Sequence, residues 1–96
     1  MNISKSDIVV SLAGRDKGRL LFVLDTEGAY ATVADGKVRK LENPKRKKLK
    51  HLRLAARTDS NVAVKIRQGD IVLNSELRRD LAIYGQTFTV RTKEAE

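Results

Sequence analysis

The sequence predicts a mainly β protein: a small β-barrel of short strands with a short helix near the C-terminus. Three observations carry that expectation. Ile8, Val10 and Leu12 alternate with mostly less apolar neighbours, the period of a strand with one buried face. Leu20 to Leu24 is an unbroken apolar run rich in β-formers. Asp35-Gly36 is a dipeptide suited to the left-handed conformations of a type I′ hairpin turn.

Taken in order, Asp7 to Leu12 reads as the first strand and Ala13 to Gly18 as a loop. Arg19 to Asp25 follows, apolar on both faces as a central strand of a closed barrel can be. Thr26, Glu27 and Gly28 turn the chain into a strand over Ala29 to Ala34, and Lys37 to Leu41 returns antiparallel after Asp35-Gly36. Asn43 and the single proline, Pro44, stop that strand. Lys45 to Lys50 is too densely charged to face a core, so it reads as a loop entering a strand that resumes at Leu52 and Leu54. Val62, Val64 and Ile66 alternate with Ala63, Lys65 and Arg67 to suggest another strand. Asn74 or Ser75 caps a short helix ending near Gly85, with Leu77, Leu81 and Tyr84 as its buried stripe. Thr87 to Arg91, alternating around Phe88 and Val90, reads as a final edge strand.

The chain of 96 residues is one domain: a barrel core over 6–57 and an extension over 58–96 holding the strand, short helix and edge strand. A domain this small leaves little interior room for a substrate cavity. The absence of cysteine removes disulfides and thiolate metal sites and suits a reducing, cytoplasmic setting. No run of about 18 apolar residues occurs, and the first residues reach charge too soon for a signal core, so neither membrane insertion nor export is expected.

The net charge of +8 is concentrated in one place. Residues 37–57 hold ten basic side chains (Lys37, Arg39, Lys40, Lys45, Arg46, Lys47, Lys48, Lys50, Arg53 and Arg57) against one acid, Glu42, a net of +9. The other 75 residues carry ten cations and eleven acids, a net of −1. Mixed charge would suffice for solubility; a near-neutral body with one dense basic stripe is the footprint of a polyanion binder.

The stretch Asp7 to Asp25, DIVVSLAGRDKGRLLFVLD, resembles the KOW motif: a strand, a glycine-bearing basic loop, then an apolar strand. Its loop positions here are Gly14, Arg15, Asp16, Lys17, Gly18 and Arg19. Apart from any resemblance, glycines at 14 and 18 permit a tight loop and a close backbone approach to phosphate, with Arg15, Lys17 and Arg19 supplying charge around it. Together with DGKVRKLENPKRKKLKHL, the match over residues 6–54 is similar to bacterial KOW-containing RNA-binding proteins related to a group of large-subunit ribosomal proteins. The resemblance implies an SH3-like barrel, RNA as partner, with ribosomal RNA or the ribosome favoured, and one surface made from the loop and the basic segment. Arginines at 15, 39, 46 and 53 are the candidates for bidentate phosphate contacts or base stacking.

Other classes fit less well. One histidine, no cysteine, no Walker pattern and no suggestive carboxylate pair give an enzyme nothing to work with, and no cofactor or small-molecule substrate is implied. His51 lacks companions for a metal, and Asp16, between Arg15 and Lys17, reads as loop support. The four aromatics, Phe22, Tyr30, Tyr84 and Phe88, are scattered and mostly at expected core positions, which favours structured over single-stranded RNA and argues against a peptide-binding SH3-like adaptor. Nonspecific DNA binding shares the phosphate attraction, but the one predicted helix carries only Arg78 and Arg79 for a major groove.

Overall fold

The computed structural model describes residues 3–95, with side chains described as far as Gly85. Five strands, β1 (Ile8–Ser11), β2 (Leu20–Glu27), β3 (Tyr30–Ala34), β4 (Lys45–Lys48) and β5 (Leu52–Ala56), form one antiparallel sheet in the order β4-β3-β2-β1-β5. Two helices follow, α1 (Asn61–Gln68) and α2 (Asn74–Ala95). The sheet is open: its two edges are the consecutive strands β4 and β5, joined by a single 3₁₀ turn at Leu49–His51. The mainly β expectation therefore holds for the sheet over residues 8–56, and the C-terminal part is helical.

The pleat divides the apolar residues between two cores. Val9, Leu21, Val23, Ala31, Val33 and Leu52 point to one face, closed over by Ile3. Ile8, Phe22 and Ala34 point to the other, where Val62 and Ile66 of α1 and Leu77 and Leu81 of α2 cover them. This is why Leu20 to Leu24 is apolar throughout: β2 is buried on both faces, the second by helices. Each such fully enclosed side chain contributes roughly 1.5–3 kcal/mol of transfer free energy. Leu77, Leu81 and Tyr84 form the inward stripe expected of α2, and the Tyr84 hydroxyl donates to the Ala55 carbonyl at 2.9 Å.

Four expectations are corrected. Asp35-Gly36 does not open a hairpin into Lys37 to Leu41. The Asp35 Oδ1 instead accepts the N–H groups of Lys37, Val38 and Arg39 at 2.9, 3.0 and 2.8 Å, while the Arg39 carbonyl accepts those of Asp35 and Gly36. The N–H groups of residues 37–39 are thus used up locally, and the strand that returns along β3 is β4, with Tyr30 opposite Lys48 and Val33 opposite Lys45. Lys45 to Lys48 is accordingly a strand and not a loop; an edge strand buries little of its surface, and lysines there discourage pairing with another sheet.

The alternation at Val62, Val64 and Ile66 belongs to a helix. Ser60 Oγ accepts the Ala63 N–H at 3.1 Å as N-cap. Gly69, at φ +76°, closes a Schellman turn in which its own N–H donates to Ile66 and that of Asp70 to Lys65. Finally, Thr87 to Arg91 is not an edge strand: its backbone continues α2 to Ala95. Gly85 lies outside the positive-φ region that would have ended the helix, and no proline follows it.

Candidate nucleic-acid interface

The loop between β1 and β2 is a 3₁₀ turn, Gly14–Asp16, fastened to its strands by short bonds. The Gly18 N–H donates to the Ser11 carbonyl at 2.8 Å, the Arg19 N–H to Asp16 at 2.8 Å and the Ser11 N–H back to Arg19 at 3.1 Å. This geometry turns Asp16 inward, where it is 2% exposed, and leaves Arg15 and Lys17 in solvent on either side. The loop thus presents two cations outward and one anion inward.

That inward anion gathers charge from distant sequence. Arg39 Nε donates to Asp16 Oδ2 at 3.1 Å, Lys47 Nζ lies 3.6 Å from the same oxygen, and Arg19 Nε lies 3.7 Å from Oδ1. Lys47 Nζ also donates to the Ala13 carbonyl at 3.4 Å, and its side chain is only 10% exposed. A second buried carboxylate, Asp35, stands 3.7 Å from Arg19 Nη1. A buried carboxylate is costly unless paired, so Asp16 holds the loop against the basic segment. The β1–β2 loop and residues 37–57 adjoin at Arg39 and Lys47. These two cations are partly neutralised there.

The others are available to a ligand. Arg15, Lys17, Lys37, Lys45, Lys48, Lys50 and Arg53 are exposed and make no ion pair or side-chain hydrogen bond among the described residues. They do not form one stripe. Strand alternation places Lys45 and Lys47 on the face of Ala31 and Val33, and Arg46 and Lys48 on the face of Tyr30 and Thr32. Arg46 stands over the Tyr30 ring, its Cζ 4.1 Å from the centroid. Arg53 lies on β5 at the opposite edge, lining with Val10, Leu20 and Tyr84 a shallow cavity of about 220 Å³. Arg57 Nε donates to the buried Asp7 carboxylate at 3.2 Å. Asn43 and His51 serve as turn residues: the Asn43 N–H donates to Lys40, and the His51 carbonyl accepts the Leu12 N–H at 2.8 Å.

The segment carrying Lys37, Arg39 and Lys40 is held by α2, which sequence reasoning did not link to it. Asn74 accepts the Leu41 N–H at 2.8 Å and donates to Glu42 Oε1 at 2.6 Å, and Arg78 Nη1 donates to the Gly36 carbonyl at 2.6 Å. The Asn74 amide, with the Glu42 backbone N–H and nearby Lys40 adding to it, holds the Glu42 carboxyl below the usual range. Asn74 carried a visible signal as a helix start, but none for a partner 33 positions away.

Among the described residues no three His, Cys, Asp or Glu side chains group as metal ligands, and no helix is long and apolar enough to cross a membrane. Exposed cations without partners, Arg15 and Lys17 on the loop among them, are suited to attracting a polyanion. Compared with models of known protein families and with curated proteins, the sequence matches none.

Proposed function

We propose that this chain is a non-catalytic, cytoplasmic RNA-binding protein of the SH3-like KOW type, which grips the backbone of structured RNA, with ribosomal RNA as first candidate. The observation that carries the reading is the pairing of Asp16 with Arg39 and Lys47, which sets the β1–β2 loop against the basic segment. The sheet order β4-β3-β2-β1-β5, with a 3₁₀ turn between its edge strands, supports the SH3-like assignment. Arg15 and Lys17 on the loop and Lys45 and Lys48 on β4 contact phosphates as charges; Arg46 adds the geometry of its planar fork.

Neutralising about five to seven phosphates gives a log–log salt slope of roughly −4 to −6 on a duplex and a shallower one on a single strand. The test is binding to ribosomal RNA fragments, transfer RNA and matched duplex DNA across a salt series, with the wild type beside Arg15→Ala/Lys17→Ala and a variant neutralised at Lys45, Arg46 and Lys48. Preference for RNA, weakening with salt and loss in both variants uphold the proposal. Equal binding of duplex DNA, or variants indistinguishable from wild type, reject it; a protein partner would then be the first alternative to pursue.

A further inference from the structure

Resting on the RNA-binding reading, we infer that Tyr30 and Arg46 form a stacking site for one unpaired nucleobase at the β3–β4 edge of the sheet. Tyr30 was expected in the core; it is only half-buried, because the helices cover this face of β3 at Ala34 and not at Tyr30. Tyr30 lies directly opposite Lys48, which puts Arg46 on the diagonal of the same face, within reach of an aromatic ring. The Arg46 Cζ stands 4.1 Å from the ring centroid, so the guanidinium is held ready in a cation–π contact with its outer side open, Arg46 being exposed. Guanidinium planes and aromatic rings are the two surfaces on which proteins stack splayed RNA bases, and here one is laid on the other.

The surroundings set the direction of the backbone. On the β2 side of this face Asp25 pairs with Thr32 and Glu27 with Tyr30, both acids exposed. On the β4 side Lys48 is exposed and unpaired among the described residues. A nucleotide stacked on Arg46 therefore directs its phosphate toward Lys48 and away from Glu27. The Tyr30 hydroxyl makes no hydrogen bond among the described residues and is free to meet a ribose or phosphate oxygen. A fully paired helix offers no face to such a site, so the ligand is an RNA hairpin loop or bulge.

The experiment compares an RNA hairpin carrying a one-nucleotide bulge with its fully paired counterpart, using wild type, Arg46→Lys, Tyr30→Phe and Tyr30→Leu. A 2-aminopurine replaces the bulged base. Arg46→Lys keeps the charge and, at an exposed position, the fold; it is expected to lose about fivefold or more in affinity for the bulged RNA beyond whatever it loses on the paired RNA, with an unchanged salt slope. Tyr30→Phe retains the ring and the fluorescence quenching that wild type causes, and Tyr30→Leu loses the quenching. Wild-type binding to bulged RNA with no quenching, or Arg46→Lys losing no more on the bulged RNA than on the paired one, overturns the stacking site and leaves RNA binding standing. Failure of wild type to bind either RNA overturns both.

Discussion

The Arg39 guanidinium meets the Asp16 carboxylate at 3.1 Å, across 23 positions of sequence and at a point where Asp16 is almost fully enclosed. One buried anion thereby decides how the β1–β2 loop sits on the basic segment. Asp16→Asn keeps the shape and removes the charge that Arg19, Arg39 and Lys47 share. Two of those partners are partly exposed, so solvent screens the loss, and the expected cost is about 1–3 kcal/mol. Urea unfolding measures it as a lower midpoint at constant m-value; an unchanged midpoint would show that the loop needs no such anchor.

Gly36 carries a sharper constraint. Its φ is +78°, and a Cβ there would fall 2.3 Å from the Asn74 carbonyl oxygen. Gly36→Ala is expected to destabilise by roughly 3 kcal/mol or more, from left-handed strain and overpacking combined. Gly28 has φ +60° and nothing near its missing Cβ, so Gly28→Ala carries the strain alone, about 1 kcal/mol. Thermal unfolding of the two variants side by side checks the difference, and equal losses would mean that α2 yields at Asn74.

Acid should loosen α2 from α1 and from the segment that precedes β4. The Lys65 ammonium, hydrogen-bonded at 2.8 Å, and then the Leu73 N–H hold the Glu76 carboxyl below its ordinary value of 4.5. Asn74 does the same for Glu42. Folding favours the carboxylate form in both, so their stabilisation is complete above about pH 4.5 and is lost as pH falls through the lower folded values. Urea midpoints recorded from pH 7 to pH 3 should fall in that acid range. Glu76→Gln should flatten part of the fall; an identical profile would place the acid sensitivity elsewhere.

Lys47 and Lys48 are neighbours with different work. Lys47 is spent on Asp16 and the Ala13 carbonyl, whereas Lys48 has no partner among the described residues. Lys47→Ala should lower the unfolding midpoint, while Lys48→Ala should leave it in place and reduce the magnitude of the RNA salt slope by about 0.9 or less. Reversed behaviour would mean that the ion pair opens when RNA binds.

Much of the sheet was legible because β1, β2 and β3 are built from local signals: period-two burial, an apolar run, and turns at Gly14 and Gly28. What misled was signal that side-chain hydrogen bonds, helix caps and position in the sheet overrule. Asp35-Gly36 reads as a hairpin until the Asp35 side chain consumes the N–H groups of residues 37–39. Val62, Val64 and Ile66 alternate, yet the buried set is Val62, Ala63 and Ile66, a helical face fixed by Ser60 and Gly69. Charge density hid β4, since an edge strand asks no hydrophobicity of its outer side. In the candidate site, residue type identified the cations, but nothing in the order of residues told Lys47 from Lys48 or set Arg46 on Tyr30. Those assignments depend on strand register.

β1 lies inside the sheet, with β2 on one side and β5 on the other, Ser11 facing Leu52 and Ile8 facing Ala56. During synthesis β2, β3 and β4 leave the ribosome before β5 exists, so β1 carries an open apolar edge until Ala56 has emerged. The segments that seal the molecule, β5 and then the helices over Phe22, are made after the strands they cover. A chain cut short before Ala56 would lose more than a terminus: it would lose the neighbour of its first strand and expose that edge to any other sheet in reach.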